Sequence, residues 1–194
     1  MLATLPPEEK LDPRVKRTRG LIQQAFTELL PEKGFRAITV QDIADRAEVN
    51  RATFYAHFPD KYALLDTAIR EAFRQELEKR TLNACHYSVN NLHALIVTVC
   101  EFVVQLHERC RAFERQFESL AETQVKKQIQ ELIELWLAQV GSEDDPKITA
   151  TAASWAIYGL ALQWSQDKNR PSAQAYAERV APLAALNLRV AHPI

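Results

Sequence analysis

The sequence is poor in glycine, and this scarcity narrows the range of folds open to it. Only four glycines occur among 194 residues, and no stretch alternates apolar and polar residues as a half-buried strand does. Helix-forming residues such as alanine, leucine, glutamate and arginine dominate, and apolar residues recur at helical spacing along the long segments. We therefore predict an all-α fold of about nine helices.

Cysteine and long apolar runs are also scarce. Cys85, Cys100 and Cys110 are an odd and sparse set, which disfavours a disulfide framework. No basic and apolar leader opens the sequence, and no apolar run approaches the ~18 residues that a membrane-spanning helix needs. From these absences we expect a soluble, cytoplasmic protein that does not contact a membrane.

The common catalytic and phosphate-binding motifs are missing as well. The sequence contains no Gly-rich phosphate loop, no H-E-x-x-H and no G-x-S-x-G. We therefore expect that the protein is not an enzyme.

Histidine and cysteine recur every seven residues at His86, His93, Cys100 and His107, with Cys110 three residues further on. Seven residues rise about 10 Å along a helix, which is too far for neighbours to share one metal ion. Only His107 and Cys110 have single-site spacing, and they would need two more ligands from elsewhere. We expect a polar pocket lining or a partly buried helix face, and neither a metal site nor a cofactor.

The net charge of -1 hides an uneven distribution of charge. From Arg14 to Lys61 there are nine Lys and Arg against six Asp and Glu, a balance of +3, so the other residues sum to -4. A basic segment on an acidic body suits a partner of high negative charge, although ordinary charge scatter produces such an excess equally often.

The stretch Ala37–Lys61 predicts two short helices joined by a tight turn. Thr39 is a candidate N-cap for the first helix, and Glu48–Asn50 is the predicted turn. Asn50 caps a second helix, Arg51–His57, which contains no acidic side chain. Two helices that cross over a turn of about three or four residues form a helix-turn-helix unit, whose second helix enters the DNA major groove.

This part of the chain resembles the signature of the tetracycline-repressor-like (TetR/AcrR) transcriptional regulators. The similar segments are G-F-R-A-I-T-V-Q-D-I-A, which begins at Gly34, and A-E-V-N-R-A-T-F-Y-A-H-F-P-D-K-Y-A-L-L, which begins at Ala47. The match covers about Val15 to Leu65. Glu48 departs from the family pattern, which usually has glycine there, so the turn either holds a non-glycine residue in a left-handed conformation or is slightly wider.

The resemblance implies a homodimeric DNA-binding transcriptional regulator, a repressor that a small-molecule effector releases from a palindromic operator in double-stranded DNA. It implies a three-helix DNA-binding head (14–62, with a linking helix to about residue 80) and a helical ligand-binding and dimerisation domain (81–194). Before the head, three prolines and little apolar material predict a flexible arm (1–13). The alternative is a helical adaptor or small-molecule-binding protein that uses the head for protein contacts.

The positions that match the family also imply roles in DNA contact. Arg51 is expected to read a guanine edge, Thr53 to contact a phosphate or a thymine methyl group, and Ala52 to permit close approach. Tyr55 and His57 are expected to donate to phosphates, unless Tyr55 packs against the first helix and His57 makes a hydrogen bond within the head.

Further phosphate contacts are expected at helix starts. Thr39 and Lys61 begin helices and are expected to clamp phosphates, as is Arg17 in the first helix. The full expected DNA-binding set is Arg17, Thr39, Arg51, Ala52, Thr53, Tyr55, His57 and Lys61. The basic cluster around Arg17, which also contains Arg14, Lys16 and Arg19, is otherwise a solvated helix start.

Proline and glycine predict several helix boundaries. Pro31 lacks an amide and is expected to end or kink the first helix near Leu30, with Gly34 in the turn that follows. Pro59 is expected at the first position of the linking helix. Helices of the body are predicted over 90–108, 111–118, 120–139, 147–166 and 172–190, and Pro182 is expected to kink or split the last one.

Aromatic residues of the body are either pocket lining or ordinary core. The candidate pocket residues are Phe102, Phe113, Phe117, Trp136, Trp155 and Tyr158. The last two long helices are apolar on several faces, and the resemblance implies that they form a four-helix bundle across a dimer. The candidate interface residues are Trp155, Leu162, Leu183, Leu186 and Val190; the alternative is a core within one chain.

Overall fold

The computed structural model describes residues 12–80, 86–109, 115–141 and 144–188, with the side chains of 107–109 and 115–118 left undescribed. These ranges contain eight α-helices and no strand, which confirms the all-α fold. The helices are α1 (Pro13–Ala37), α2 (Val40–Arg46), α3 (Arg51–His57), α4 (Lys61–Arg80), α5 (Val89–Arg109), α6 (Arg115–Val140), α7 (Pro146–Gln166) and α8 (Ala173–Leu188).

The predicted boundary between helices at 111–118 and 120–139 is wrong. One helix of 26 residues, α6, runs from Arg115 to Val140. Its sequence holds neither proline nor glycine, so nothing in it interrupts the helical hydrogen bonds. Most of the predicted arm, residues 1–11, lies outside the described residues, and Pro13 is already the first residue of α1.

Helix α1 does not end at Leu30, which was one of the two outcomes expected from Pro31. It continues through Pro31, and its backbone becomes non-helical at Gly34, where φ is 72° and ψ is 152°. A positive φ suits glycine because the residue has no Cβ to clash. The turn predicted at Gly34 is therefore confirmed, and a short helical segment, Phe35–Ala37, follows it.

The first three helices pack around a shared apolar core. Phe26 of α1, Ile43 of α2 and Phe54 of α3 are all 0% exposed. Phe26 meets Phe35 edge to face, with ring centroids 6.1 Å apart. Because α1 supports both short helices, the outer face of α3 is held in a fixed orientation.

Helix α4 connects this core to the rest of the molecule. It begins at Lys61, and the Asp60 carboxylate accepts from the amides of Tyr62 and Ala63 at 2.8 Å each. Pro59 was predicted at the first helical position, but it precedes the cap instead. Further along, Phe73 packs edge to face against Phe102 of α5, so α4 touches both parts of the protein.

Helix α5 is the central helix of the body. It packs against α4, α7 and α8, and Leu95, Val99 and Cys100 are 0% exposed. Its window Val89–Leu106 is long and apolar enough to span a membrane, with a mean hydropathy of 1.5. The prediction that no such run exists is therefore wrong, but a core helix passes the same test, and 50% of this window is buried among the other helices.

Helices α7 and α8 pack against each other and against α5. Asp145 caps α7 by accepting from the amide of Lys147 at 2.8 Å. Helix α8 continues through Pro182 without being split. The Tyr176 hydroxyl of α8 donates to the Leu160 carbonyl of α7 at 3.0 Å, which fixes the two helices relative to each other.

Candidate nucleic-acid interface

The first helix of the helix-turn-helix unit has a reciprocal cap. The Thr39 hydroxyl oxygen accepts from the Asp42 amide at 3.1 Å, and the Asp42 carboxylate accepts from the Thr39 amide at 2.8 Å. Thr39 is thus confirmed as the N-cap of α2. Its hydroxyl proton points to Asp42, at 2.8 Å between oxygens. That proton is therefore engaged within the cap. The contact of Thr39 with a phosphate stays a prediction.

Asp42 is also held by a cation from α1. Lys33 donates to its carboxylate at 2.6 Å. This bond, with those from Thr39, holds the pKa of Asp42 well below its usual range. The carboxylate is therefore ionised at neutral pH and ties α2 to α1.

The turn between α2 and α3 holds Glu48 in the left-handed region, with φ 55°. This is one of the two geometries expected where glycine is replaced. The Val49 amide donates to the Ala44 carbonyl at 2.9 Å, which closes the turn. A left-handed conformation costs a residue with a Cβ about 1–2 kcal/mol.

Helix α3 presents a narrow outer face. Asn50 caps it by accepting from the Thr53 amide at 2.7 Å and the Thr53 hydroxyl at 3.0 Å. Phe54 is buried, while Arg51, Ala52, Tyr55 and Ala56 are exposed and Thr53 and His57 are half-buried. Since the Thr53 hydroxyl proton is directed at the cap, its methyl group is the part best placed to meet a base.

Arg51 and Tyr55 lie one turn apart on that face. The Arg51 guanidinium lies 5.9 Å from the Tyr55 ring centroid and donates to its hydroxyl at 3.5 Å. Tyr55 is 47% exposed, so it does not pack into α1. The long bond leaves Arg51 able to turn toward a partner.

The carboxyl end of α3 is held by α1. Arg19 donates to the His57 carbonyl at 3.4 Å, and its guanidinium lies over the Phe58 ring. Burial and then the charge of Arg19 lower the pKa of the His57 imidazole. His57 is therefore neutral near pH 7, and any phosphate contact would use a neutral N–H group.

Lys61, expected to clamp a phosphate, has a different environment. Its ammonium donates to the carbonyls of Phe35, Arg36 and Ile38 at 3.0, 3.1 and 2.8 Å. An ammonium has three N–H groups, which matches the number of these carbonyls. This geometry argues against the predicted phosphate contact.

The predicted pocket residues differ in their exposure to solvent. Phe102, Trp136 and Tyr158 are buried at 4%, 0% and 7% exposure, whereas Trp155 is 62% exposed. Trp155 therefore faces solvent and is not part of an interior pocket. Phe113 and the side chain of Phe117 lie outside the described residues.

Most of the predicted dimer residues are exposed apolar side chains of α7 and α8. Leu183 and Leu186 of α8 are 57% and 74% exposed, Trp155 of α7 is exposed, and Leu162 is half-buried. Val190 lies outside the described residues. Ile148, which the prediction missed, is 69% exposed. It lies seven residues before Trp155 on the same face of α7, and that spacing was the signal available in the sequence.

Comparison with known proteins identifies the head. Residues 22–68 match the family model described as bacterial regulatory proteins, tetR family. The HTH-type transcriptional regulator YxbF of Bacillus subtilis is 38% identical over 76 residues, 39% of this chain and 20% of YxbF. The head of the chain, residues 22–68, therefore matches the TetR family. A second relative, the class G tetracycline repressor protein of Vibrio anguillarum, is 39% identical over 67 residues, 34% of this chain and 31% of that protein.

The fold as a whole is similar to that of a solved TetR-family protein. The structure of Thermus thermophilus FadR, a TetR-family transcriptional repressor in complex with lauroyl-CoA, superposes with a TM-score of 0.56. The superposition covers 90% of this chain and 97% of FadR at 19% identity. The sequence matches thus span only a fifth to a third of the curated relatives, whereas the likeness of fold extends into the body.

Two of the head's structural residues were missed by sequence reasoning. Arg19 was grouped with the phosphate-binding cluster, and Asp42 was given no role. The spacing of Thr39 and Asp42 was the available signal for Asp42, since a capping box pairs the N-cap with the residue three positions later. The contact of Arg19 with α3 joins residues 38 positions apart, so no local pattern indicates it.

Proposed function

We propose that this chain is a TetR-family, homodimeric, cytoplasmic transcriptional regulator that binds a palindromic operator and is released from it by a small molecule. The observation that carries the proposal is the outer face of α3. Arg51, Ala52 and Tyr55 are exposed there, the helix has no acidic side chain, and its aromatic side, Phe54, is buried. Such a face suits the major groove, where an arginine fork pairs with guanine O6 and N7.

A dimer is supported by the apolar surface of α7 and α8. The large exposed apolar side chains on these helices are Ile148, Trp155, Leu183 and Leu186. Gly159 lies one turn after Trp155, and a Cβ built on it would meet nothing within 4 Å. A second copy of α7 is thus able to approach closely here. Two heads related by a two-fold axis read half-sites about 34–36 Å apart.

A small-molecule effector in the body is supported by one polar group. The amide nitrogen of Gln128 on α6 is buried, and it has no hydrogen-bond partner among the described residues. Buried polar atoms are nearly always satisfied, so an acceptor on an effector suits this position. The lauroyl-CoA bound to FadR is an effector-sized molecule on the same fold. By preferring the DNA-incompetent state, such a molecule would weaken operator binding.

The test is selection of bound DNA from a random pool by the purified protein at fixed salt. We expect an enriched palindrome, and we expect Arg51→Ala to lose about 1–3 kcal/mol and to relax preference at one base position per half-site. Lys127→Ala, which removes an exposed cation from α6, is the matched control. If the Arg51→Ala variant kept the wild-type base preference, Arg51 would not be a base reader.

The alternative function, an adaptor that uses the head for protein contacts, predicts a different dependence on salt. Binding to DNA through several phosphates weakens with a log–log slope of about -0.9 per neutralised phosphate. Failure to enrich any DNA, together with a weakly salt-dependent protein partner, would favour the adaptor.

A further inference from the structure

Lys61 is the cation whose surroundings differ most from its predicted role. Its ammonium lies where three carbonyl oxygens converge, those of Phe35, Arg36 and Ile38, at 2.8–3.1 Å. Two of the three bonds are partly buried, and Ile38 itself is 0% exposed. The site therefore resembles a cap for the backbone that follows α1. It does not resemble an exposed contact that is available to a partner.

These carbonyls need a donor because of the backbone around Gly34. Its positive φ breaks α1, so the carbonyls after it have no continuing helix to satisfy them. The Ile38 amide donates to the Gly34 carbonyl at 3.3 Å, which closes the turn after Gly34. A cation at the carboxyl end of a helical segment is also favoured by the helix dipole.

Aromatic rings hold the ammonium in place. It lies 4.7 Å from the centroid of the Phe35 ring and 6.0 Å from that of Tyr62. Those two rings meet edge to face at 5.1 Å. Each ring presents electron density to the cation, so the rings help to hold both the aliphatic part of the lysine side chain and its ammonium group in position.

The position of Lys61 in the chain connects this cap to the recognition helix. Lys61 opens α4, four residues after α3 ends at His57, while the carbonyls it binds lead directly into the Thr39 cap of α2. The ammonium thus connects the segment after the carboxyl end of α3 to the segment before the amino end of α2. Loss of these hydrogen bonds frees α2 and α3 to change their angles relative to α1.

We infer that Lys61 is a positioning residue that fixes the recognition helix through the backbone between α1 and α2, and that it is not a phosphate contact. This inference rests on the proposed DNA-binding function for its effect on affinity. The structural part of the inference, the hydrogen bonds between Lys61 and the carbonyls of 35–38, is measurable without DNA.

The first measurement needs no DNA. Hydrogen exchange and thermal unfolding of the full-length protein are compared for wild type, Lys61→Met and Lys79→Met. Lys79 is an exposed lysine of the same helix, paired with Glu76. We expect Lys61→Met to speed exchange of the Ile38 and Thr39 amides at least tenfold and to lower Tm by about 3–8 °C. Wild-type exchange and Tm in this variant would overturn the inference.

The second measurement uses the selected operator across a salt series. A phosphate contact, for which Arg17→Ala is the reference, reduces the log–log salt slope by about 0.9 per protomer. We expect Lys61→Met to bind at least tenfold more weakly with an unchanged slope. Lys61→Arg should not restore affinity, because a planar guanidinium cannot serve three converging carbonyls from one point.

Failure of the positioning role and failure of the proposed DNA-binding function give different results. A reduced salt slope in Lys61→Met, or full affinity in Lys61→Arg, would overturn the positioning role while DNA binding stands. No enriched DNA with the wild-type protein would contradict the proposed function, and the exchange experiment would still decide whether Lys61 ties the backbone.

Discussion

The guanidinium of Arg19 lies over the ring of Phe58, with its central carbon 4.4 Å from the ring centroid. The same side chain donates to the carbonyl of His57, the last residue of α3. A cation at this end of the helix meets the negative end of the helix dipole. Arg19 thus holds α3 from the side opposite to its exposed face.

We expect Arg19→Ala to destabilise the fold by about 1–2 kcal/mol, since it removes a half-buried cation–π contact and a charge at a helix end. In a chain of this length the Tm should fall by about 2–8 °C, as measured by circular dichroism. Arg17→Ala, an exposed neighbour on the same helix, is the control. Equal Tm values for the two variants would mean that the contact with Phe58 contributes nothing measurable.

Glu48 in the left-handed turn gives a stabilising prediction. We expect Glu48→Gly to raise stability by about 0.5–1 kcal/mol, because glycine relieves the Cβ clash but has more freedom to lose on folding. Glu48→Ala keeps the Cβ and should leave the Tm near that of wild type. If both variants were destabilised equally, the carboxylate of Glu48 would matter more than the backbone conformation.

Asp42 predicts a dependence of stability on pH. Its pKa is lower in the folded protein, where Lys33 and Thr39 bond to the carboxylate, than in the unfolded chain, at about 3.9. Its contribution to stability is therefore complete above the unfolded pKa and is lost as pH falls through that value toward the folded pKa.

The measurement for Asp42 is Tm against pH from about 6 to 3. We expect the wild-type Tm to fall more steeply below pH 4 than that of Asp42→Asn, which has already lost the ionised group. Asp45→Asn removes a carboxylate from the same helix and should keep the wild-type slope. A wild-type slope in Asp42→Asn would show that the capping box does not carry the acid sensitivity.

The exposed apolar surface of α7 and α8 predicts an oligomeric state. We expect light scattering to find a dimer for wild type and a monomer for Leu186→Glu, because burying an unpaired carboxylate in an apolar interface costs several kcal/mol. Val89→Glu replaces another exposed apolar residue, 67% exposed, at the start of α5 and should stay dimeric. A dimer that survives Leu186→Glu and Trp155→Ala would place the interface elsewhere.

Local sequence patterns were enough for the elements of the head. The caps at Thr39 and Asn50, the turn at Glu48 and the bounds of Arg51–His57 all follow from residues within a few positions of one another. Short-range hydrogen bonds determine such features, so the sequence predicts them. The boundary near Leu30 failed because Pro31 was weighted above Gly34, where a positive φ ends the regular helix.

The sequence by itself determined the all-α fold, the helix-turn-helix unit and the resemblance of the head to TetR regulators, since helical periodicity and a compact motif carry them. Only the tertiary structure decided what the cations of the head do. Lys61 and Arg19 resemble phosphate ligands in the sequence, yet they bond to carbonyls 23 to 38 residues away. It also decided that Trp155 faces solvent while Trp136 is buried, because which face of a helix is covered depends on the helices that pack against it.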